Sequence, residues 1–224
     1  MERRRIVRLL QGASRSPTLP LWEFPEGDPR AAILASEGFT PCAEPMPGAT
    51  WYLIGFTHAE PDLDARTHVN RSLHVRDYAQ TLRALTRMVR ETEVSRSYLG
   101  MEDLAPGRAY VAQQTDDPLW REFVAVLPGI RSGGNQQERF VTMAAEAYGA
   151  HATSLDQVLR HGIAVLDATV TIAEQQIAAH IRAVHSEFPG PNFYGMGKLL
   201  VPAVSAMLAE EGIPHIAVVP GEGR

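Results

Sequence analysis

The first sustained apolar run is Trp51, Tyr52, Leu53 and Ile54, closed by Gly55, and it predicts a short buried strand. After a polar loop, Tyr78, Leu82, Leu85 and Val89 recur at helical spacing, and Ser95 to Met101 returns to a strand-like run. A second helix is predicted from Gln136 to Tyr148, stopped by Gly149, with a short strand over Ala150 to Leu155. Ile163, Leu166, Val170, Ile177, Ile181 and Val184 predict one long helix or two shorter ones within Val158 to Val184, ended by Pro189, Gly190 and Pro191. Phe193 and Tyr194 then enter Gly195 and Gly197, a helix is expected from Leu199 to Glu210 with Gly212 as its cap, and His215 to Val219 reads as a final strand. Strands alternating with helices predict an α/β fold: one domain with a central mixed or mostly parallel sheet flanked by helices.

Residues 12 to 50 are rich in Pro, Gly, Ser and Glu, with short apolar pieces at Leu19 to Phe24 and Ala31 to Leu34. The expected organisation is therefore an irregular lead-in over 1–50, wrapping an α/β domain over 51–224. No internal repeat suggests a solenoid.

At 224 residues and 45% hydrophobic content the chain is long enough for one sizeable core. A chain of this size buries roughly 70% of its unfolded surface, so a metal would serve function rather than stability. The formal charge of -5 lacks the basic excess that phosphate neutralisation needs, and nucleic acid is not expected as a partner. Arg3, Arg4, Arg5 and Arg8 among Ile6, Val7, Leu9 and Leu10 read as a cationic arm or first helix, since no signal-like apolar run follows. No membrane span is predicted. The lone Cys42 excludes an internal disulfide and fits a cytoplasmic location.

Three groups at strand ends carry candidate chemistry, because ligands of open α/β sheets bind beyond the carboxyl ends of the strands. Gly55-Phe56-Thr57-His58 delivers an imidazole just past a buried strand, suited to general base work or to a divalent metal. Met101-Glu102-Asp103 supplies carboxylates that could bind a metal or hold His58 in one tautomer. Gly195-Met196-Gly197-Lys198 reads as a glycine-rich turn opening a helix, a place for an anion. The competing readings are a hydrogen-bonded structural histidine, a helix cap and a plain tight turn. His68 and His74 are six apart and His180 and His185 five apart, about 140° out of register on a helix, so neither pair reads as a metal site. A Gly-x-Ser-x-Gly nucleophile elbow is absent.

The order of these pieces resembles the TraB, Tiki and GumN family of metal-dependent hydrolases, distantly akin to erythromycin esterase and the haem-uptake protein ChaN. The resemblance lies in Tyr52-Leu53-Ile54-Gly55-Phe56-Thr57-His58 against "YLxGTxH", Pro20-Leu21-Trp22 against "PLLW", and the strand Tyr98-Leu99-Gly100-Met101 ending in Glu102. It continues in Gly149-Ala150 through Leu155-Asp156 against "GAxxxxLD", and in Gly195-Met196-Gly197-Lys198-Leu199 where the family has "GxGHLxG". The chain departs from the family twice: Lys198 stands in place of the second signature histidine, and Glu174-Gln175-Gln176 replaces an acidic-Arg-Asn/Asp signature without its arginine. Lysine is a poor replacement ligand, because an ammonium has no lone pair.

The resemblance implies an erythromycin esterase/ChaN-like fold and a hydrolase or lyase-type tailoring enzyme acting on a peptide or small metabolite. Its catalytic residues would be His58, Glu102 and Lys198, with Lys198 facing a developing oxyanion. Glu60, Asp103, Arg139, Gln175, Gly195 and Gly197 would line the substrate. His58 and Glu102 would hold a divalent metal (Mn, Co or Zn) if one is used; the erythromycin esterase-like branch works with a His and a Glu alone. The alternative is a catalytically degenerate member that binds a peptide, haem or a partner protein. A homodimer is left open.

Overall fold

Trp51 to Phe56, all six buried, form the strand around which the sheet is built. The computed structural model describes residues 22–56, 68–101, 118–133, 171 and 173–221. In chain order these contain α1 (Pro29–Ser36), β1 (Phe39–Pro41), β2 (Trp51–Phe56), α2 (His68–Glu91), β3 (Tyr98–Met101) and α3 (Pro118–Val126). A single 3-10 turn at Leu127–Gly129 leads into β4 (Arg131–Gly133). A helix over 173–185, called α4, precedes β5 (Asn192–Gly197), α5 (Val201–Glu210) and β6 (His215–Pro220).

The strands lie in the order β1-β6-β2-β5-β3-β4. All pairings are parallel except that of the edge strand β1 with β6, so the expected mixed, mostly parallel sheet is what forms. Strands buried on both faces need apolar residues at every position, which is why β2 reads as a continuous run rather than an alternation. Alternate side chains then serve different layers. Tyr52, Ile54, Phe56, Leu99, Met101 and Phe193 pack under α1, α2 and α3, with Leu82, Leu85 and Phe123 above them. Trp51, Leu53, Tyr98, Tyr194 and Met196 face the opposite way, against Ile177 and Ile181 of α4 and Val201, Val204 and Leu208 of α5.

The stretch read as an irregular lead-in contributes both a helix and an edge strand. Asp28 caps α1, accepting from the amides of Arg30 (2.9 Å) and Ala31 (3.4 Å), and Pro29 occupies the first turn, where a missing N–H costs nothing. The helix then needs only Ala31, Ile33 and Leu34 to anchor it to the core. Gly38, at φ +83°, turns the chain into β1. A second difference concerns Gly195 and Gly197, which are residues of β5 rather than of a turn. A Cβ on Gly195 would meet Met101, Phe56 and Thr81 at 3.4–3.8 Å, ordinary packing distances on the α2 side of the sheet. The elements predicted at 136–148 and 150–155 lie outside the described residues. Among the described residues no helix is long and apolar enough to cross a membrane.

Tyr194 lies flat across its neighbour strand because Gly100 has no side chain: a Cβ there would overlap the tyrosine ring. Gly100→Ala is expected to cost about 1–3 kcal/mol as an overpacking substitution. In a chain of this length that lowers the melting temperature by roughly 2–12 °C, measurable by thermal denaturation.

Candidate functional site

The path of the chain selects one end of the sheet. From β2 it runs through α2, on one face, into β3, passing the position of β5; from β5 it runs through α5, on the other face, into β6, passing the position of β2. β2 and β5 are neighbours, so their outgoing connections diverge to opposite faces and leave a crevice at their carboxyl ends. This is the topological switch point where open α/β sheets bind ligands.

Lys198 stands at this crevice. The two strands stay paired to their last residues, Phe56 opposite Gly197, and the Lys198 amide then donates to the Phe56 carbonyl at 2.7 Å. That bond lays Lys198 across β2, and Gly55 makes it sterically feasible: a Cβ at Gly55 would lie 3.0 Å from both Cα and Cβ of Lys198. The backbone thus sits over the α5 side of the sheet, while the side chain reaches around its edge to the α2 side. There Nζ lies 3.7 Å from Oδ2 of Asp77, which is fully buried, with the lysine side chain 38% exposed.

Asp77 is held independently of Lys198. Its Oδ1 accepts from Nε and Nη2 of Arg76 at 3.1 and 2.9 Å, and its backbone carbonyl accepts from Thr81 Oγ1 at 2.9 Å. A buried carboxylate is tolerated only when its charge is met, and two cations from different elements meet this one. The Lys198 ammonium makes no hydrogen bond within 3.5 Å to a described residue, and its charge partner among them is Asp77, at ion-pair distance. The positive end of α5, starting at Val201 without a side-chain cap, is oriented to the same edge.

On the other face, Trp51 Nε1 donates to His185 Nδ1 of α4 at 3.2 Å, and the Tyr98 hydroxyl pairs with His180 Nε2 of the same helix at 2.9 Å, both at the amino ends of strands. Glu174 lies six residues before His180 on the same helix. It is buried, whereas Gln175 beside it is exposed. Of the residues singled out from sequence, Lys198, Gly195 and Gly197 thus share the switch point, and Gln175 points away from the packed face of α4. His58, Glu60, Glu102, Asp103 and Arg139 lie outside the described residues; β2 ends two residues before His58 and β3 directly before Glu102.

A divalent metal does not fit the side chains described here. Asp77 is engaged by two cations, Lys198 brings a charge of the wrong sign, and among the described residues no three His, Cys, Asp or Glu side chains converge.

Two other features of the described residues compete for attention. A hollow of about 560 Å³ is lined by Asp28, Arg30, Met46 and Tyr52, and one of about 450 Å³ by Ser97, Arg131 and Phe188. Both open at the amino ends of strands, away from the switch point, and in the larger one the Tyr52 hydroxyl is spent on Asp28. The Ser205 Oγ to His215 Nε2 contact of 2.7 Å has the pairing of a nucleophile and a base, with Nδ1 donating to the Ile213 carbonyl at 2.9 Å. Both side chains are buried, so this pair closes the α5-β6 corner instead of meeting a substrate.

No family model, curated protein or solved structure matches the chain. The site therefore rests on its own residues, and two signals in the sequence point to it without any resemblance. Of 21 cationic side chains, twenty are arginine and one is lysine, and that lysine is Lys198. Asp77 is a charge on the apolar stripe of α2, four residues before Thr81 and eight before Leu85.

Burial lowers the pKa of His215, and that of His180, below the free value of 6.5. The unfolded chain then binds protons that the folded one refuses, so this stability is complete above 6.5 and is lost as pH falls from there towards the folded pKa. The melting temperature should fall as the pH is lowered below about 6.5. His215→Asn, which keeps a donor for Ile213, should show a shallower drop in the same thermal melts.

Proposed function

We propose that the chain is a cytoplasmic hydrolase or lyase-type enzyme that tailors a peptide or small metabolite at the carboxyl edge of an erythromycin esterase/ChaN-like sheet. One observation carries this reading: the single lysine stands at the switch point, anchored through its backbone and with no hydrogen bond from its ammonium to a described residue. A solvent-facing cation needed only for solubility would be arginine in this chain, as it is twenty times elsewhere. A compact ammonium at a rigid strand end suits an oxygen anion that forms during reaction.

In this reading His58, following β2, takes a proton from water, and Glu102, following β3, orients the imidazole. The water oxygen attacks an acyl carbon, and the carbonyl electron pair moves onto oxygen, where Lys198 meets the charge. Collapse of the tetrahedral species expels the leaving group, which takes its proton from His58, and the carboxylic acid that remains loses its proton to solvent. Glu60, Asp103, Arg139 and the glycines of β5 are proposed to border the substrate, and Gln175, exposed on α4, is left out. The step needs no metal, consistent with a side-chain set in which lysine replaces a ligand.

The second reading, a degenerate member that binds a peptide, haem or a partner protein, draws on the pairing of Lys198 with Asp77, which gives the ammonium a structural partner. Turnover of a panel of small esters and dipeptides separates the two. His58→Ala, Glu102→Gln and Lys198→Met are each expected to lower activity by about a hundredfold or more with the melting temperature nearly unchanged. A wild-type protein inert on the panel but carrying a Soret band would favour haem binding. Stoichiometric Mn, Co, Zn or Fe in the purified protein would return the site to metallohydrolase chemistry.

A further inference from the structure

We infer that Lys198 is an oxyanion receptor and that Asp77 is its positioning residue, a resting counter-ion from which an incoming anion draws the ammonium away. The inference rests on reading the carboxyl edge as the active site and extends it to ligand class: acyl compounds whose hydrolysis passes through a tetrahedral oxyanion and ends in a carboxylate.

Three observations combine. The Lys198 to Asp77 distance of 3.7 Å is an ion pair beyond hydrogen-bond range, so the contact orients the ammonium without saturating its donors. Asp77 makes a separate, shorter pair with Arg76 on its other oxygen, so it stays neutralised when Lys198 turns to a ligand. The lysine backbone is fixed by its bond to Phe56 and its packing over Gly55, so the motion is confined to a flexible side chain that is 38% exposed. Arginine would not serve the same purpose. Its planar fork would bind Asp77 in two places and remain there, whereas an ammonium exchanges one oxygen anion for another with little geometric demand. No residue of the hollows at the amino edge takes part.

Because the chain has one lysine, protein grown on lysine labelled with carbon-13 at Cε reports on Lys198 alone. Inorganic phosphate, a tetrahedral oxyanion, and acetate, a planar carboxylate, are titrated against this signal at constant ionic strength set with sodium chloride. The expected result is a saturable shift with at least one of them. Saturation by phosphate only assigns the receptor to the tetrahedral species, and saturation by acetate extends it to the product carboxylate. In Asp77→Asn the resting signal should move, and saturation should come at roughly twofold to fivefold lower anion concentration, as expected for loss of one partly exposed competing ion pair. If that variant fails to fold, the wild-type titration still decides. A Lys198 signal unmoved by both anions, or moved equally by chloride alone, overturns the inference. A saturable shift in a protein inert on every ester and dipeptide keeps the receptor and removes the hydrolase; turnover without any shift does the reverse.

Discussion

The interaction on which the rest depends is the backbone bond from Lys198 to Phe56 across the ends of β2 and β5. Two parallel strands paired to their last residue have outgoing connections that leave for opposite faces, and the turn after β5 must cross the end of β2 to start α5. Glycine at position 55 eases that crossing, since a Cβ there would lie 3.0 Å from the Lys198 backbone and force it to shift by a few tenths of an ångström. Sheet register, the reach of Lys198 and the start of α5 are thus one constraint. A bulkier residue at Gly55 would be felt at all three, although it touches no substrate.

Around that crossing, charge is distributed by layer. The α2 layer carries the buried carboxylate of Asp77, within ion-pair reach of Lys198 at the sheet edge, and the α4 layer carries the buried Glu174. Buried acids are costly in a core otherwise filled by Phe56, Leu82, Tyr194 and Ile177, and folds retain them where charge must be held in a fixed position. The amino edge shows the opposite economy: its polar groups, Tyr52 with Asp28, Tyr98 with His180 and Trp51 with His185, are neutralised in local pairs.

Much of the fold was legible because strands buried on both sides write themselves as apolar runs. Trp51 to Ile54 and His215 to Val219 correspond to β2 and β6, and the spacing of Tyr78, Leu82 and Leu85 to α2. What was illegible depended on neighbours distant in sequence. Gly195 and Gly197 read as punctuation because glycine in isolation permits turns, yet both are paired within the sheet, opposite Ile54 and Phe56 of β2. Residues 29–41 read as irregular because an eight-residue helix and a three-residue edge strand carry too few apolar positions to show periodicity. Asp77 was missed although it shares a stripe with Thr81 and Leu85, because one charge among the many polar residues of α2 does not stand out by itself. Lys198 was found from the order of motifs, and its uniqueness among the cations is the stronger signal.

The central claim is that the segments leaving β2 and β5 meet at one crevice. The most direct test is a short bifunctional maleimide applied to a Cys42→Ser chain carrying His58→Cys and Lys198→Cys, with His58→Cys and Gln175→Cys as the control pair. Near-complete intramolecular cross-linking of the 58 and 198 pair, against little for the 58 and 175 pair, is the outcome that the shared crevice requires. Equal yields in the two proteins, or none between 58 and 198, would contradict it.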